Sequence, residues 1–168
     1  MKIFLLFLTL FFLACSPYNG LEPGKEYGFR LDANESSILQ NPPLNQSRIY
    51  VYRKDSPQAF NIEYQRVFDI MIEYNNKSDF LAKSKPYNTS YKDINLDSNT
   101  TVTLKARIAN SVSKLSFTPK KDMIYCLQSE ILQDDISSNS FVAFPAFILV
   151  EKEDCIYMIE KKIGKINN

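Results

Sequence analysis

The 168-residue chain has no histidine, no tryptophan, four glycines and three cysteines. Without histidine there is no Ser-His-Asp or Cys-His nucleophile activation, no imidazole proton shuttle, no His-ligated zinc and no usual haem ligand. A surplus of one charge sign is missing too. Twenty Lys+Arg face nineteen Asp+Glu, a formal +1, so no basic field exists to collect phosphates and nucleic-acid binding has no electrostatic basis. After residue 15 no stretch approaches eighteen consecutive apolar residues, which predicts a soluble domain there rather than a second membrane element.

The one long hydrophobic run is at the start. Met1-Lys2 makes a short positive n-region, and Ile3 to Leu13 is almost unbroken apolar sequence, too short to cross ~30 Å of hydrocarbon as a helix. That is the pattern of an export signal. The run ends at Ala14-Cys15-Ser16-Pro17, which resembles the lipobox of bacterial lipoproteins, although Phe12 and Leu13 stand where that motif prefers Leu followed by a small residue. The resemblance implies that residues 1–14 are a signal peptide, cut before Cys15, and that the Cys15 thiol is diacylated. An ordinary cleaved signal or an uncleaved anchor is the alternative. Removal of 1–14 loses only Lys2, so the mature protein carries 19 Lys+Arg and 19 Asp+Glu. Several acyl chains, each contributing about 0.8 kcal/mol per buried CH₂, hold firmly where one does not.

Residues 15–46 carry Pro17, Gly20, Pro23, Gly24, Gly28, Pro42 and Pro43 among polar residues, without a sustained period, and are expected to form a lipidated N-terminus and flexible tether. Within it, Tyr27-Gly28-Phe29-Arg30-Leu31 alternates enough for a short strand folded back on the domain. Residues 47–166 are expected to form a single all-β domain, an immunoglobulin- or transthyretin-like sandwich of about 7–8 strands with a short C-terminal helix. Ile49-Tyr50-Val51-Tyr52 opens it. Further runs are Val67 to Tyr74, Asp79 to Ala82, Tyr91 to Leu96, Thr100 to Ile108, Ser113 to Phe117, Met123 to Ile131 and Phe144 to Val150. Val102, Leu104, Ala106 and Ile108 alternate with Thr101, Thr103, Lys105 and Arg107, as in a strand with one buried and one wet face. Asn75-Asn76-Lys77-Ser78 fits a hairpin tip, and Thr118 to Asp122 a turn. From Glu153 to Gly164, Ile156, Ile159 and Ile163 recur at helical spacing, with acidic residues first and Lys161-Lys162 last, which suits the helix dipole. A ninth strand through Ile156 to Ile159 is the alternative.

Arg48-Ile49-Tyr50-Val51-Tyr52-Arg53, Phe117 to Cys126 and Pro145 to Cys155 together resemble a family of small bacterial lipoproteins known only as domain of unknown function twenty-eight forty-six. The resemblance covers roughly residues 47 to 163. It implies an open sandwich of about seven strands on a lipid anchor, beginning with an aromatic "YVYR"-type strand, and no assigned reaction. Asn75-Asn76-Lys77 and Asp97-Ser98-Asn99 stand where that family tends to have glycine turns.

Cys126 and Cys155 remain after lipidation, and exported proteins live where disulfides persist, so these two are expected to pair. The bond would close a loop of about 30 residues, for which the chain-entropy estimate is ~3.5 kcal/mol. Two buried free thiols are the alternative. With no His and no third Cys nearby they make a poor metal site, and a redox pair is more often Cys-x-x-Cys. Acidic residues cluster at Asp134-Asp135 and at Glu151, Glu153 and Asp154. Both clusters neighbour polar loop residues that would not raise a carboxyl pKa, so they are expected to be solvated turns rather than a glycosidase pair. Asn34 and Asn99 lie in acidic-x-Asn-x-Ser/Thr strings resembling the acceptor of bacterial N-glycosylation, or chance in an Asn- and Ser-rich chain. Arg48, Tyr50, Tyr52 and Arg53 could form an aromatic and cationic ligand platform, but core and rim packing explains them as well.

These features point to a lipid-anchored protein of the bacterial envelope. Ser16 in place of Asp after Cys15 favours the outer membrane, facing the periplasm. The domain would be a non-catalytic binding or structural module needing no cofactor and no metal, with an envelope protein or a glycan as partner. A periplasmic enzyme, hydrolytic or thiol-redox, and a surface-exposed adhesin or antigen are the alternatives.

Overall fold

The computed structural model of the chain describes residues 21–22, 24–53, 66–97, 99–137, 140–164 and 166, with side chains for all of these outside 133–142. Eight strands follow in order: β1 (Gln46–Arg53), β2 (Phe68–Tyr74), β3 (Lys77–Ser84), β4 (Thr89–Asn95), β5 (Val102–Ile108), β6 (Ser111–Phe117), β7 (Ile124–Ser137) and β8 (Ser140–Val150). A short helix α1 (Lys152–Ile156) continues as π-helical turns over Tyr157–Ile163. The strands form two four-stranded sheets, β4-β1-β7-β8 and β3-β2-β5-β6. This is the expected β-sandwich with a short C-terminal helix. In the immunoglobulin partition the first two strands share a sheet. Here β1 lies between β4 and β7, parallel to β7, and β2 is in the other sheet, the transthyretin-like alternative.

Local sequence explains the corners. Asn75 and Asn76 both adopt positive φ, 48° and 57°, the two-residue turn that matches hairpin twist and that Asn tolerates. Lys77 and Ser78, expected at the tip, already belong to β3. Gly164, with φ 71°, ends the helical tail by donating its N–H to the Ile159 carbonyl at 2.7 Å. One expectation is corrected on β7. Asp134 and Asp135 sit inside the strand, opposite Val142 and Phe141, and not in a turn. The β-forming residues across the ladder carry the hairpin past them.

The main core fills the space between the sheets, with Ile49, Val51, Ile70, Ile72, Ile94, Val102, Leu104, Leu115 and Leu127 buried there. A second core covers the outer face of the first sheet: Tyr50, Tyr52, Ile124, Cys126 and Val150 beneath Leu39, Cys155 and Ile159. Alternation therefore sends Ile49 and Val51 to one core and Tyr50 and Tyr52 to the other, so both faces of β1 are buried.

What covers the second core corrects the expected tether. Residues 24–46 run along the sandwich, with Tyr27 in the main core and Leu39 in the second. Phe29 exchanges both backbone hydrogen bonds with Ile124, at 3.0 and 2.8 Å, a single bridge in place of the expected strand. Asn41 clasps the segment into a loop, accepting from the Leu31 N–H at 2.9 Å and donating to its carbonyl at 3.0 Å. The physical reason is the outer sheet face itself, which would leave Tyr50, Tyr52 and Ile124 in water without Phe29, Leu31, Ile38 and Leu39 over it. Residues 1–20, including Cys15, lie outside the described residues.

Candidate functional site

The β7–β8 register sets Val150 beside Cys126. Helix α1 starts two residues later and swings Cys155 back over the strand. The two cysteines stand at disulfide-bonding distance, with Cα atoms 5.9 Å apart and both side chains buried. An attacking thiolate must reach a sulfur to exchange it, and these are packed among Tyr50, Tyr52 and Ile159. The position suits a staple that ties the helical tail to the sheet.

The Arg/Tyr set of β1 is committed to the fold. Arg48 donates to both Asp93 oxygens at 2.6 and 2.7 Å, lies 4.3 Å from the Tyr91 ring centroid and also reaches the Gln40 carbonyl at 3.3 Å. The Asp93 hydrogen bonds hold the guanidinium above its ordinary pKa. The Tyr50 hydroxyl accepts from the Gln40 N–H at 2.9 Å. Tyr52 donates to Gln128 Oε1 at 3.2 Å, and burial pushes its phenol well above the usual value. Arg53 donates to the Arg66 carbonyl at 2.5 Å. These side chains bind the protein's own backbone, the Asp93 carboxylate and the Gln128 amide, and all four are buried.

The two acidic clusters do not meet. Asp134 pairs with Val142 in the ladder, whereas Glu151 follows Val150 at the other end of the same strand. At about 3.4 Å per residue the backbone at Asp134 and at Glu151 is separated by roughly 30 Å, far beyond the ~5–9.5 Å at which paired carboxyl groups work on a glycosidic bond. Glu153 and Asp154 are exposed on α1, and Glu151 pairs with Lys25 at 2.6 Å. Among the described residues no group of three His, Cys, Asp or Glu is placed to hold a metal ion.

A groove of about 260 Å³ opens where the N-terminal segment meets the sandwich. Its floor is Tyr27, Phe117, Met123, Tyr125 and Leu149, and its rim carries Lys25, Glu26 and Lys120. Lys25 lies between Glu151 and Glu22, at 2.6 and 3.3 Å, and these bonds push its ammonium up to about 12. Lys120 pairs with Glu26 at 2.5 Å and holds that carboxyl below its ordinary range. The rim cations are thus neutralised in place. Gly28 forms part of the wall because the Tyr125 hydroxyl crosses the space a Cβ would take. The groove escaped sequence reasoning because its parts come from three distant stretches, and only the Gly28 position hinted at a close approach.

Asn34 and Asn99 are both exposed and both at positive φ, 68° and 64°, in turns. Beside Asn99, the Thr100 hydroxyl donates to Asn75 Oδ1 at 3.0 Å. Among the described residues no helix is long and apolar enough to cross a membrane. No family model and no curated protein matches the chain.

Proposed function

We propose that the protein is an acylated lipoprotein of the bacterial envelope whose sandwich serves as a non-catalytic binding or structural module, akin to domain of unknown function twenty-eight forty-six. The observation that carries the reading is the buried Cys126 and Cys155 pair at disulfide distance in a chain that opens with an export-type run ending at Ala14-Cys15. Disulfides persist outside the reducing cytosol, so a pair built into the core agrees with export. Removal of residues 1–14 leaves Cys15 as the N-terminal acyl acceptor. Ser16 after it agrees with delivery to the outer membrane. The non-catalytic half of the reading draws support from the Arg and Tyr side chains of β1, which are engaged within the fold, and from acidic clusters set at opposite ends of the β7–β8 hairpin.

Metabolic labelling with an alkyne fatty acid tests the anchor. The wild-type chain should take up label and band with the outer-membrane fraction on a density gradient, and Cys15→Ser should take up none. Equal labelling of the two chains would reject acylation at Cys15.

A further inference from the structure

The described chain begins at Leu21, which packs on the main core beside Phe117 and Met123, and it is fastened there. The Glu22 N–H donates to the Tyr27 hydroxyl at 3.0 Å, Lys25 bridges to Glu151, and Phe29 pairs with Ile124. Five residues separate Cys15 from Leu21, six Cα-to-Cα steps that span at most about 20 Å at full extension. A flexible tether of some thirty residues would let the domain tumble; five do not. If Cys15 carries the acyl chains, the end of the sandwich where Leu21 enters is held against the bilayer.

That same end carries the most exposed large apolar side chain among the described residues. Leu44 is 80% exposed, whereas the others of its kind are close to half exposed. It is not a floppy tip. The Gln46 N–H donates to the Pro43 carbonyl at 3.1 Å, and Asn45 takes positive φ, 64°. Asn45 donates its N–H to Asp122 Oδ1 at 2.7 Å, and Asp122 returns its own N–H to the Gln46 carbonyl at 2.7 Å. The turn bearing Leu44 is thereby locked to the turn bearing Lys120 and Lys121, itself held by Ser47 Oγ donating to the Lys120 carbonyl at 2.6 Å. A rigid apolar point beside the exposed Lys121 has the chemistry of a membrane-interface contact: a leucine for the acyl boundary and an ammonium group for the phosphates, while Lys120 stays paired with Glu26.

We propose that this end of the sandwich docks on a phospholipid surface, with Leu44 entering the interfacial layer. Burying one leucine is too weak to bind a membrane alone, but the acyl anchor makes the contact intramolecular and so holds it at high effective concentration. The opposite end, with the link between β3 and β4 and the start of β6, then faces away from the lipid.

The inference rests on acylation of Cys15, and the test separates the two. The chain has no tryptophan, so Leu44→Trp and Val112→Trp each create a single reporter at opposite ends of the sandwich, both at exposed positions. The full-length acylated variants are incorporated in vesicles of phosphatidylethanolamine and phosphatidylglycerol with brominated acyl chains, and flotation is measured alongside emission. The proposal expects both to float, the Leu44→Trp emission to shift to the blue and lose intensity to bromine, and Val112→Trp to emit as in water. Floating variants that are equally quenched, or both unquenched, would overturn the docking while leaving the anchor intact. Variants that fail to float and lack acyl mass at Cys15 would overturn the anchor and the docking with it.

Discussion

Glu160, in the helical tail, holds Ser36, 124 residues earlier in the chain. Its carboxylate accepts from the Ser36 hydroxyl and from the Ser37 N–H at 2.7 Å and the Ile38 N–H at 3.4 Å. The segment at 36–38 and the helical tail are thus buttoned together over the second core, and the Ser36 bond above all keeps the Glu160 pKa below the ordinary carboxylate range. A carboxylate with a depressed folded-state pKa stabilises above its unfolded value, and loses that contribution as pH falls through the folded value. The Lys152 pair lowers Glu35 in the same sense. Hydrogen-exchange protection of Ser37, Ile38 and Leu39 should therefore be constant near neutrality and fall below about pH 4, ahead of the sheet amides. Glu160→Gln should show the lower protection already at neutral pH. Protection unchanged by acid and by the substitution would contradict this role.

The backbone at Gly28 lies directly against the Tyr125 ring. A Cβ on Gly28 would lie 2.6 Å from Tyr125 Oη, which itself accepts from the Lys120 N–H at 2.8 Å. Gly28→Ala must displace a half-rigid ring or lift the segment, with a cost of about 1–3 kcal/mol typical of overpacking. Urea unfolding should show that loss, and Gly28→Ala combined with Tyr125→Phe should not recover it, since the ring carbon at 2.8 Å remains.

Reduction of the cysteine pair should cost more than any surface change. With a sequence separation of 29, loss of the cross-link should destabilise by about 3.5 kcal/mol on the chain-entropy estimate. Cys155→Ala should lower the thermal midpoint, and reductant should lower the wild-type midpoint toward it without moving the variant further. A wild-type midpoint indifferent to reductant would mean that the two sulfurs are not bonded.

Arg48 tests the embedded ion pair. Arg48→Lys keeps a charge but loses the planar fork that engages both Asp93 oxygens and lies over Tyr91. The expected loss is about 1–3 kcal/mol by urea unfolding, from a charge-assisted bond and the packing around it. Full retention of stability would show the pair to be dispensable.

The parts that sequence made legible are those governed by local rules. Val102 to Ile108 alternates because one face is dry, Asn75-Asn76 can take positive φ, and Ile156 and Ile159 return at helical spacing to cap a hydrophobic face. The N-terminal segment obeys no such rule. Tyr27, Phe29, Leu31, Ile38 and Leu39 have no common period because each fills a separate gap on a surface that exists only once β1 and β7 are paired. The same tertiary surface decided Tyr50 and Tyr52, whose alternation with Ile49 and Val51 is compatible with one buried face or two. Asp134 and Asp135 looked like turn residues, and only the ladder partners across β8 place them in a strand. Leu44 is inconspicuous in sequence. Its exposure follows from the locked turn on which it stands.

Whether the protein is a lipid-anchored, oxidised module is read from a peptide-resolved mass spectrum taken without reduction, on protein purified from its native membrane fraction. The expected spectrum holds an N-terminal peptide beginning at acylated Cys15 and a cross-linked peptide joining Cys126 to Cys155. An unacylated N-terminus with free thiols at both positions would contradict it.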